Sequence, residues 1–170
     1  QLSKTARKGQ FSGGLEGHDP IHLKYHTATH LLGAALRTVL KAPDLQQHGS
    51  NITAQRLRFD FNHDKLTSEE KQAVEDQVNA WIDADLPVSF AVYPTDEALK
   101  MGAIGAFGER YGDKVKVYSI GEGDERVSFE VCGGPHVEHT GVLAEDGKWF
   151  KITKEESSSA GIRRIKAVLR

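Results

Sequence analysis

The period of the hydrophobic positions changes along this chain, and that change predicts its architecture. After Pro20, the residues Tyr25, Ala28, Leu32, Ala35, Leu36 and Val39 recur at the spacing of one helical stripe, with the proline placed to open the helix. At about 100° per residue, His26, His30, Gly33 and Arg37 share a narrow sector roughly opposite the centre of that stripe. The two histidines therefore point away from the helix's own core, and Gly33 leaves room beside them. Residues 52–61 alternate imperfectly through Ile52, Ala54, Leu57, Phe59 and Phe61 and read as one strand. Thr67-Ser68-Glu69-Glu70 has the form of a capping box, so a helix follows that buries Ala73, Val74, Val78, Trp81 and Ile82 and stops near Pro87. A strand over 88–93, a short helix over 96–100 and a glycine-rich stretch over 101–113, either a loop or a short helix with a loop, come next. Residues 115–120, 127–131, 149–154 and 162–168 then read as four more strands. Helices and strands alternate at first and strands dominate later, which predicts an α+β fold of two layers, a mainly antiparallel sheet packed with helices.

Composition adds bounds to this picture. Hydrophobic residues make up 38% and charged residues 27% of 170 positions, as in a soluble globular chain, and no apolar run approaches the roughly 20 residues that span a bilayer. Gly9, Gly13, Gly14, Gly17 and Pro20 mark residues 1–20 as an N-terminal arm or the remnant of a preceding domain, leaving 21–170 as the domain proper. The first residue is Gln rather than Met, which suggests a piece of a longer protein. The polar start has no signal-peptide character, and one cysteine fits a reducing, cytoplasmic setting. The net charge of −2 announces no nucleic-acid binder. Its distribution says more: Lys151, Lys154, Arg163, Arg164, Lys166 and Arg170 crowd the last 20 residues, where they form either a patch for RNA phosphates or a solvated strand face. Neither a membrane nor DNA is an expected partner.

Candidate chemistry gathers in two short motifs about a hundred residues apart. His26-Thr27-Ala28-Thr29-His30 lies on the first helix, and Cys132-Gly133-Gly134-Pro135-His136 leaves a late strand. Each supplies two donors four residues apart. Together they offer three imidazoles and one thiol, a complete tetrahedral set for one zinc ion. Either pair alone is weak evidence of a metal. The first avoids its core face, and the second enters a Gly-Gly-Pro turn where backbone can approach a ligand closely, so the conjunction is stronger. His22, one turn before His26, and His139, three residues after His136, are either substitute ligands, partners of a ligand or exposed side chains. No carboxylate lies between His26 and His30, so the helical metalloprotease base is missing.

The segments His26-Thr27-Ala28-Thr29-His30-Leu31-Leu32 and Cys132-Gly133-Gly134-Pro135-His136-Val137 resemble the zinc motifs of the alanyl-tRNA synthetase editing domain and of the free-standing AlaX proteins. The threonyl-tRNA synthetase editing domain is a more distant relative. The likeness extends to residues 57–63, 108–113 and 160–165, and so covers roughly 20–170. It implies that family's α+β fold, zinc ligands at His26, His30, Cys132 and His136, and hydrolysis of the ester joining a wrong amino acid to the 3′ end of a tRNA. For the alanine branch the wrong amino acids are serine and glycine. It also implies a tRNA acceptor end as partner, a synthetase as partner or parent chain, and a place for Gln47 near the amino-acid pocket. Pro135 departs from the alanine branch, which usually has Thr there, and leans toward the threonine branch; the stretch 157–164 follows the alanine branch. A tRNA for threonine is therefore an alternative substrate. A non-catalytic tRNA-binding module and an excised piece of a full ligase are alternative roles.

Such a site must place a water near the ester carbonyl and stabilise an oxyanion. The backbone amides of Gly133 and Gly134 are candidate donors, and Thr27, Thr29 and Gln47 are candidates to pair with the serine hydroxyl. Lys151, Lys154, Arg163 and Arg164 are candidates for acceptor-stem phosphates. Four protein ligands make a closed site, whereas catalytic zinc usually keeps one position open, so the metal either activates water or frames the pocket.

Overall fold

The computed structural model describes residues 19–105 and 110–170. Except for Asp19 and Pro20, the arm expected over 1–20 lies outside the described residues, as do Gly108 and Glu109 of the stretch 108–113.

Helix α1 (Pro20–Val39) begins with its proline in the first turn, where the missing N–H has no intrahelical partner to lose. Tyr25, Ala28, Leu32, Ala35 and Leu36 are buried as their spacing predicts, and Leu31 and Ala34 join them. The Tyr25 hydroxyl donates to Gln55 O (3.0 Å) and accepts from Leu169 N–H (3.1 Å), which ties the helix to one end of the sheet below it. That sheet has the order β1-β2-β7-β6, all antiparallel, from β1 (Gln47–Ile52), β2 (Leu57–Asn62), β6 (Phe150–Ser159) and β7 (Ile162–Leu169). Leu57, Phe59, Phe61, Ile165, Ala167 and Phe150 turn to its inner face and form the main core with α1 and α2 (Ser68–Asp83). Burying each phenyl ring contributes about 1.5–3 kcal/mol.

The single strand expected over 52–61 is a hairpin. Ile52 pairs with Leu57, and between them the Thr53 N–H donates to Arg56 O (3.0 Å) while the Thr53 hydroxyl accepts from Gln55 N–H (3.2 Å). This short hydroxyl-stabilised turn breaks the apparent alternation. The strand before it, β1, is almost wholly polar or glycine and so carries no hydrophobic signal; pairing with β2 makes it a strand. The strand expected over 149–154 runs on to Ser159, because its polar second half pairs with β7 and Glu155 accepts from Arg163 Nε (2.5 Å) and Leu66 N–H (3.4 Å). The outer edge of β6 is covered by α2, where Asn79 bonds both backbone groups of Phe150 (3.0 Å each) and Glu75 accepts from Ile152 N–H (2.9 Å). Helix α2 opens with the expected capping box, Thr67 and Glu70 bonding reciprocally. It buries Val74, Val78 and Ile82 and packs Trp81 against the core, but Ala73 is exposed, being turned off the stripe that these four define.

A second sheet, β3-β4-β5, is formed by β3 (Val88–Pro94), β4 (Lys114–Ile120) and β5 (Ser128–Val131), again antiparallel. One face carries Val115, Val117 and Phe129 and is closed by Ala98 of α3 (Thr95–Lys100) and by Ala103. The other face, read from the register, carries Phe90, Val92, Lys116, Tyr118 and Glu130, and its Glu130 end meets α1. The expectation of two layers of antiparallel sheet and helix holds, with the strands divided between two sheets. No helix among the described residues is long and apolar enough to cross a membrane.

Replacing Thr67 by Ala removes the acceptor of the Glu70 N–H, and we expect a loss of about 1 kcal/mol in unfolding free energy, read as a lower urea midpoint. An unchanged midpoint would show that the capping box does not hold α2.

Candidate metal centre

The first donor pair is fixed by α1, whose histidine sector faces β5. The second is fixed by the turn that follows β5. Tyr118 on β4 stands against that turn so closely that a side chain at Gly134 would put its Cβ 2.3 Å from the Tyr118 hydroxyl oxygen. Gly134 also has φ of +73°, where a glycine is at ease. His26 and Cys132 are almost fully buried.

Three imidazoles and the thiol converge. The four donor atoms of His26, His30, Cys132 and His136 lie within 4.8 Å of one another. Cys132 Sγ is 3.5 Å from His26 Nε2 and 3.4 Å from His136 Nε2. Donors sharing one tetrahedral zinc at ordinary bond lengths stand roughly 3.6 Å apart across a sulfur–nitrogen edge. The outward ring nitrogens are all engaged. His26 Nδ1 donates to Pro135 O (2.8 Å), His136 Nδ1 pairs with Thr27 Oγ1 (2.9 Å), and His30 Nδ1 lies 3.1 Å from Glu130 Oε2. Holding each Nδ1 from outside leaves each Nε2 for a common centre, as partners of metal-binding histidines do. The residues present fit a single metal ion, and the mixed thiolate and imidazole donors suit zinc.

The electrostatics agree. Burial alone would push the Cys132 thiol up, but the charge on His30 and hydrogen bonds from His136, His26 and His30 bring it from 9.0 to about 3. Burial would push His30 down, but Glu130 and Cys132 outweigh it and hold it well above the ordinary imidazole range. Glu130 is pressed upward by burial and held down more strongly by His30, Arg37 and Ser128. His136 falls from 6.5 to about 3, chiefly by burial, with the neighbouring charges on His30 and His26 assisting. Without metal the centre thus holds a thiolate, an imidazolium and a carboxylate in one buried cluster, and a cation would replace the imidazolium proton.

Beside the cluster runs a cleft lined by His26, Thr29, His30, Arg37, Gln47, Ser50, Ile104, Gly105, Glu130 and Val131. Thr29 and Gln47 both line this cleft. Thr29 donates its hydroxyl to Tyr25 O (2.9 Å), and Gln47 Nε2 donates to Ser50 Oγ (2.9 Å). Thr27 does not line the cleft. It is buried between the motifs, where its oxygen meets His136 and accepts from Val137 N–H (3.2 Å), and so locks turn to helix. Gly134 N–H points at Cys132 Sγ (3.3 Å), so of the two glycine amides this one already serves the sulfur. His22 is buried outside the donor cluster, and exposed His139 pairs with Asp85. The space beside Gly33 is filled by the Phe59 ring and the Arg37 guanidinium. Each of the four cations expected at phosphates faces a carboxylate: Lys151 faces Glu75, Lys154 Glu156, Arg163 Glu155 and Arg164 Asp60, the last through two bonds of 2.9 and 3.0 Å. Glu130 and Tyr118 were missing from the expected site. Glu130 on β5 lies two residues before Cys132, which follows the strand directly and still donates to Lys116 O of β4, and that spacing of two is a signal present in the sequence.

Residues 115–166 match the threonyl and alanyl tRNA synthetase second additional domain. The chain is 55% identical to the alanine–tRNA ligase of Treponema denticola over 99% of its own length and 27% of that protein. It is 51% identical to that of Treponema pallidum over 98% of its length and 26% of the relative. It is 50% identical to that of Thermus thermophilus over 84% of its length and 16% of the relative. The chain thus spans about a quarter or less of the curated relatives it matches. The resemblance to the alanyl-tRNA synthetase editing domain, first read from the motifs at His26 and Cys132, is borne out.

Cys132→Ala should abolish stoichiometric metal binding, and Glu130→Gln should weaken it roughly 10- to 100-fold; both are read by metal analysis after dialysis. Unchanged metal content in the cysteine variant would refute the ligand set. The metal-stripped chain should also respond to acid. The lowered Cys132 pKa contributes stability that is full above 9.0 and is lost as pH falls toward 3, and the lowered His136 pKa acts in the same direction below 6.5. The raised His30 pKa contributes fully below 6.5 and is lost only at higher pH, so it opposes Cys132 only above 6.5. The urea midpoint of the stripped chain should therefore fall steadily as pH drops below 6.5.

Proposed function

We propose that this chain hydrolyses the ester joining serine or glycine to the 3′ adenosine of tRNA for alanine, a proofreading step of cytoplasmic translation. The observation that carries the reading is the set of three imidazoles held from outside through Nδ1, with Nε2 and the Cys132 sulfur converging beside a cleft whose lining includes Thr29, Gln47 and Ser50. A zinc ion on His26, His30, Cys132 and His136 would supply a Lewis acid next to the ester carbonyl.

The chain's own residues then divide the work. Glu130 holds His30 with its Nε2 inward, and Arg37 lies 4.0 Å from Glu130 and steadies its charge. Gln47, held by Ser50, and the Thr29 oxygen, whose lone pairs stay open while its proton goes to Tyr25, are placed to pair with the serine hydroxyl. Alanine offers no such hydroxyl and would leave those groups unpaired, a penalty of about 1–3 kcal/mol. Gly133 N–H is the glycine amide we assign to the oxyanion. Among the cations assigned to phosphates, Lys151 and Lys154 have side chains 45% and 58% exposed, against 14% and 30% for Arg163 and Arg164, so the lysines are better placed.

A second reading makes the chain part of a longer alanine–tRNA ligase, since it aligns with 27% of the Treponema denticola protein. The chemistry proposed for the site is the same in both.

Incubation with seryl-tRNA for alanine should release serine, and Gln47→Leu should slow release roughly 5- to 100-fold with metal content intact. Release no faster than in a metal-stripped control would remove the hydrolytic reading and favour a tRNA-binding module. Faster release from seryl-tRNA for threonine would reassign the substrate.

A further inference from the structure

The face of the second sheet that carries Cys132 and Glu130 does not end at the metal cluster. Cys132 N–H donates to Lys116 O (3.0 Å), and the register pairs Glu130 with Tyr118, Tyr118 with Phe90, and Lys116 with Val92. All these side chains share one face, so a strip leads from the metal donors across β4 to the edge strand β3. Phe90 lies two strands from Glu130, roughly 10 Å away. Contact is continuous along the strip. The Tyr118 ring meets the His136 ring edge-on at 4.4 Å between centroids, and the Phe90 ring meets Tyr118 at 5.3 Å. The outer end is bare: Phe90 is 55% and Val92 59% exposed. Over this apolar end sits a cation, Lys116 Nζ, 4.0 Å from the Phe90 ring centroid and 5.2 Å from that of Tyr118.

We propose that this strip receives the single-stranded 3′ end of an RNA, with a nucleobase stacked on Phe90 and the adjoining phosphate held by Lys116. The inference rests on the reading of the metal centre as a site that meets an aminoacylated RNA end. An exposed aromatic ring beside a mobile cation is the pairing that binds single strands without choosing their sequence. The placement matches the substrate's shape. The cleft with Thr29 and Gln47 lies on one side of the donors and the strip on the other, so the amino acid and the nucleotide would flank the ester between them. The Lys116 ammonium rides on a flexible stem and can leave the ring face for a phosphate without moving the backbone. A protein partner would find the apolar end, but it would leave the cation and the continuity with His136 without a purpose.

The test uses uncharged hairpin RNAs, one ending in a single-stranded CCA and one blunt, with affinity read by fluorescence anisotropy. Phe90→Ala should weaken binding of the overhang hairpin at least about fivefold and leave the blunt one unchanged. Phe90→Trp should restore the affinity, and Lys116→Gln should weaken the overhang complex and flatten its salt dependence. Because Phe90 is exposed, metal content and urea midpoint should not change. Equal losses on both hairpins, or no loss on either, would overturn the platform. So would a wild-type dimer that Phe90→Ala makes monomeric with RNA affinity unchanged, since the strip would then seat a second copy. Serine release by the wild type with unaltered overhang binding in the variants would leave the hydrolytic reading standing without the platform. Lost overhang binding without serine release would do the reverse.

Discussion

The hydrogen bonds that grip the three imidazoles from outside are the constraint on which the rest of this structure turns. α1 crosses between two sheets with largely separate cores, and its histidine sector meets β5 and the following turn through polar atoms. Buried polar groups at such a junction are costly unless each finds a partner. Here Pro135 O, Thr27 Oγ1 and Glu130 supply the partners, and satisfying them fixes the distance from helix to strand. The cleft beside the donors takes its shape from that distance, because its walls are α1, β1 and β5.

Charge explains why this junction tolerates burial. Against burial, His30 and Arg37 hold the Glu130 carboxyl down, His30 and the hydrogen bonds of the three histidines hold the Cys132 thiol down, and Glu130 and Cys132 hold His30 up. The arrangement is neutralised from within and waits on a cation. The outer face of the four-stranded sheet follows another rule: Arg164, Arg58 and Asp60 form an ion-paired group there, and what looks in the sequence like a basic tail is mostly faced by acids of β2, β6 and α2.

Much of this was legible in the sequence where local rules act. The stripe from Tyr25 to Leu36, the capping box at Thr67 and both donor pairs follow from spacing alone. What escaped depends on pairing. β1 has no hydrophobic alternation and exists because β2 lies beside it, and the turn at Thr53 hides inside an apparently continuous run. Thr27 was a candidate for its hydroxyl alone, and one position along a helix from His26 turns a side chain by about 100°, here into the junction. Glu130 was in plain view two residues before Cys132, but its role needed the knowledge that His30 would stand opposite. The partners of the basic cluster were not legible because the acids that face it come from β2, α2 and β6, and only cross-strand register brings Asp60 to Arg164.

The close approach of Tyr118 to Gly134 has a consequence over evolutionary time. The phenol fills the volume that any side chain at that glycine would need, 2.3 Å from where the first carbon would stand. The two positions are thus bound as a pair although they lie on different strands' reach and sixteen residues apart in sequence. Among relatives of this chain, bulk at one should appear only where the other has shrunk, and a lineage that lost the tyrosine would regain freedom at the glycine only so far as its positive φ allows.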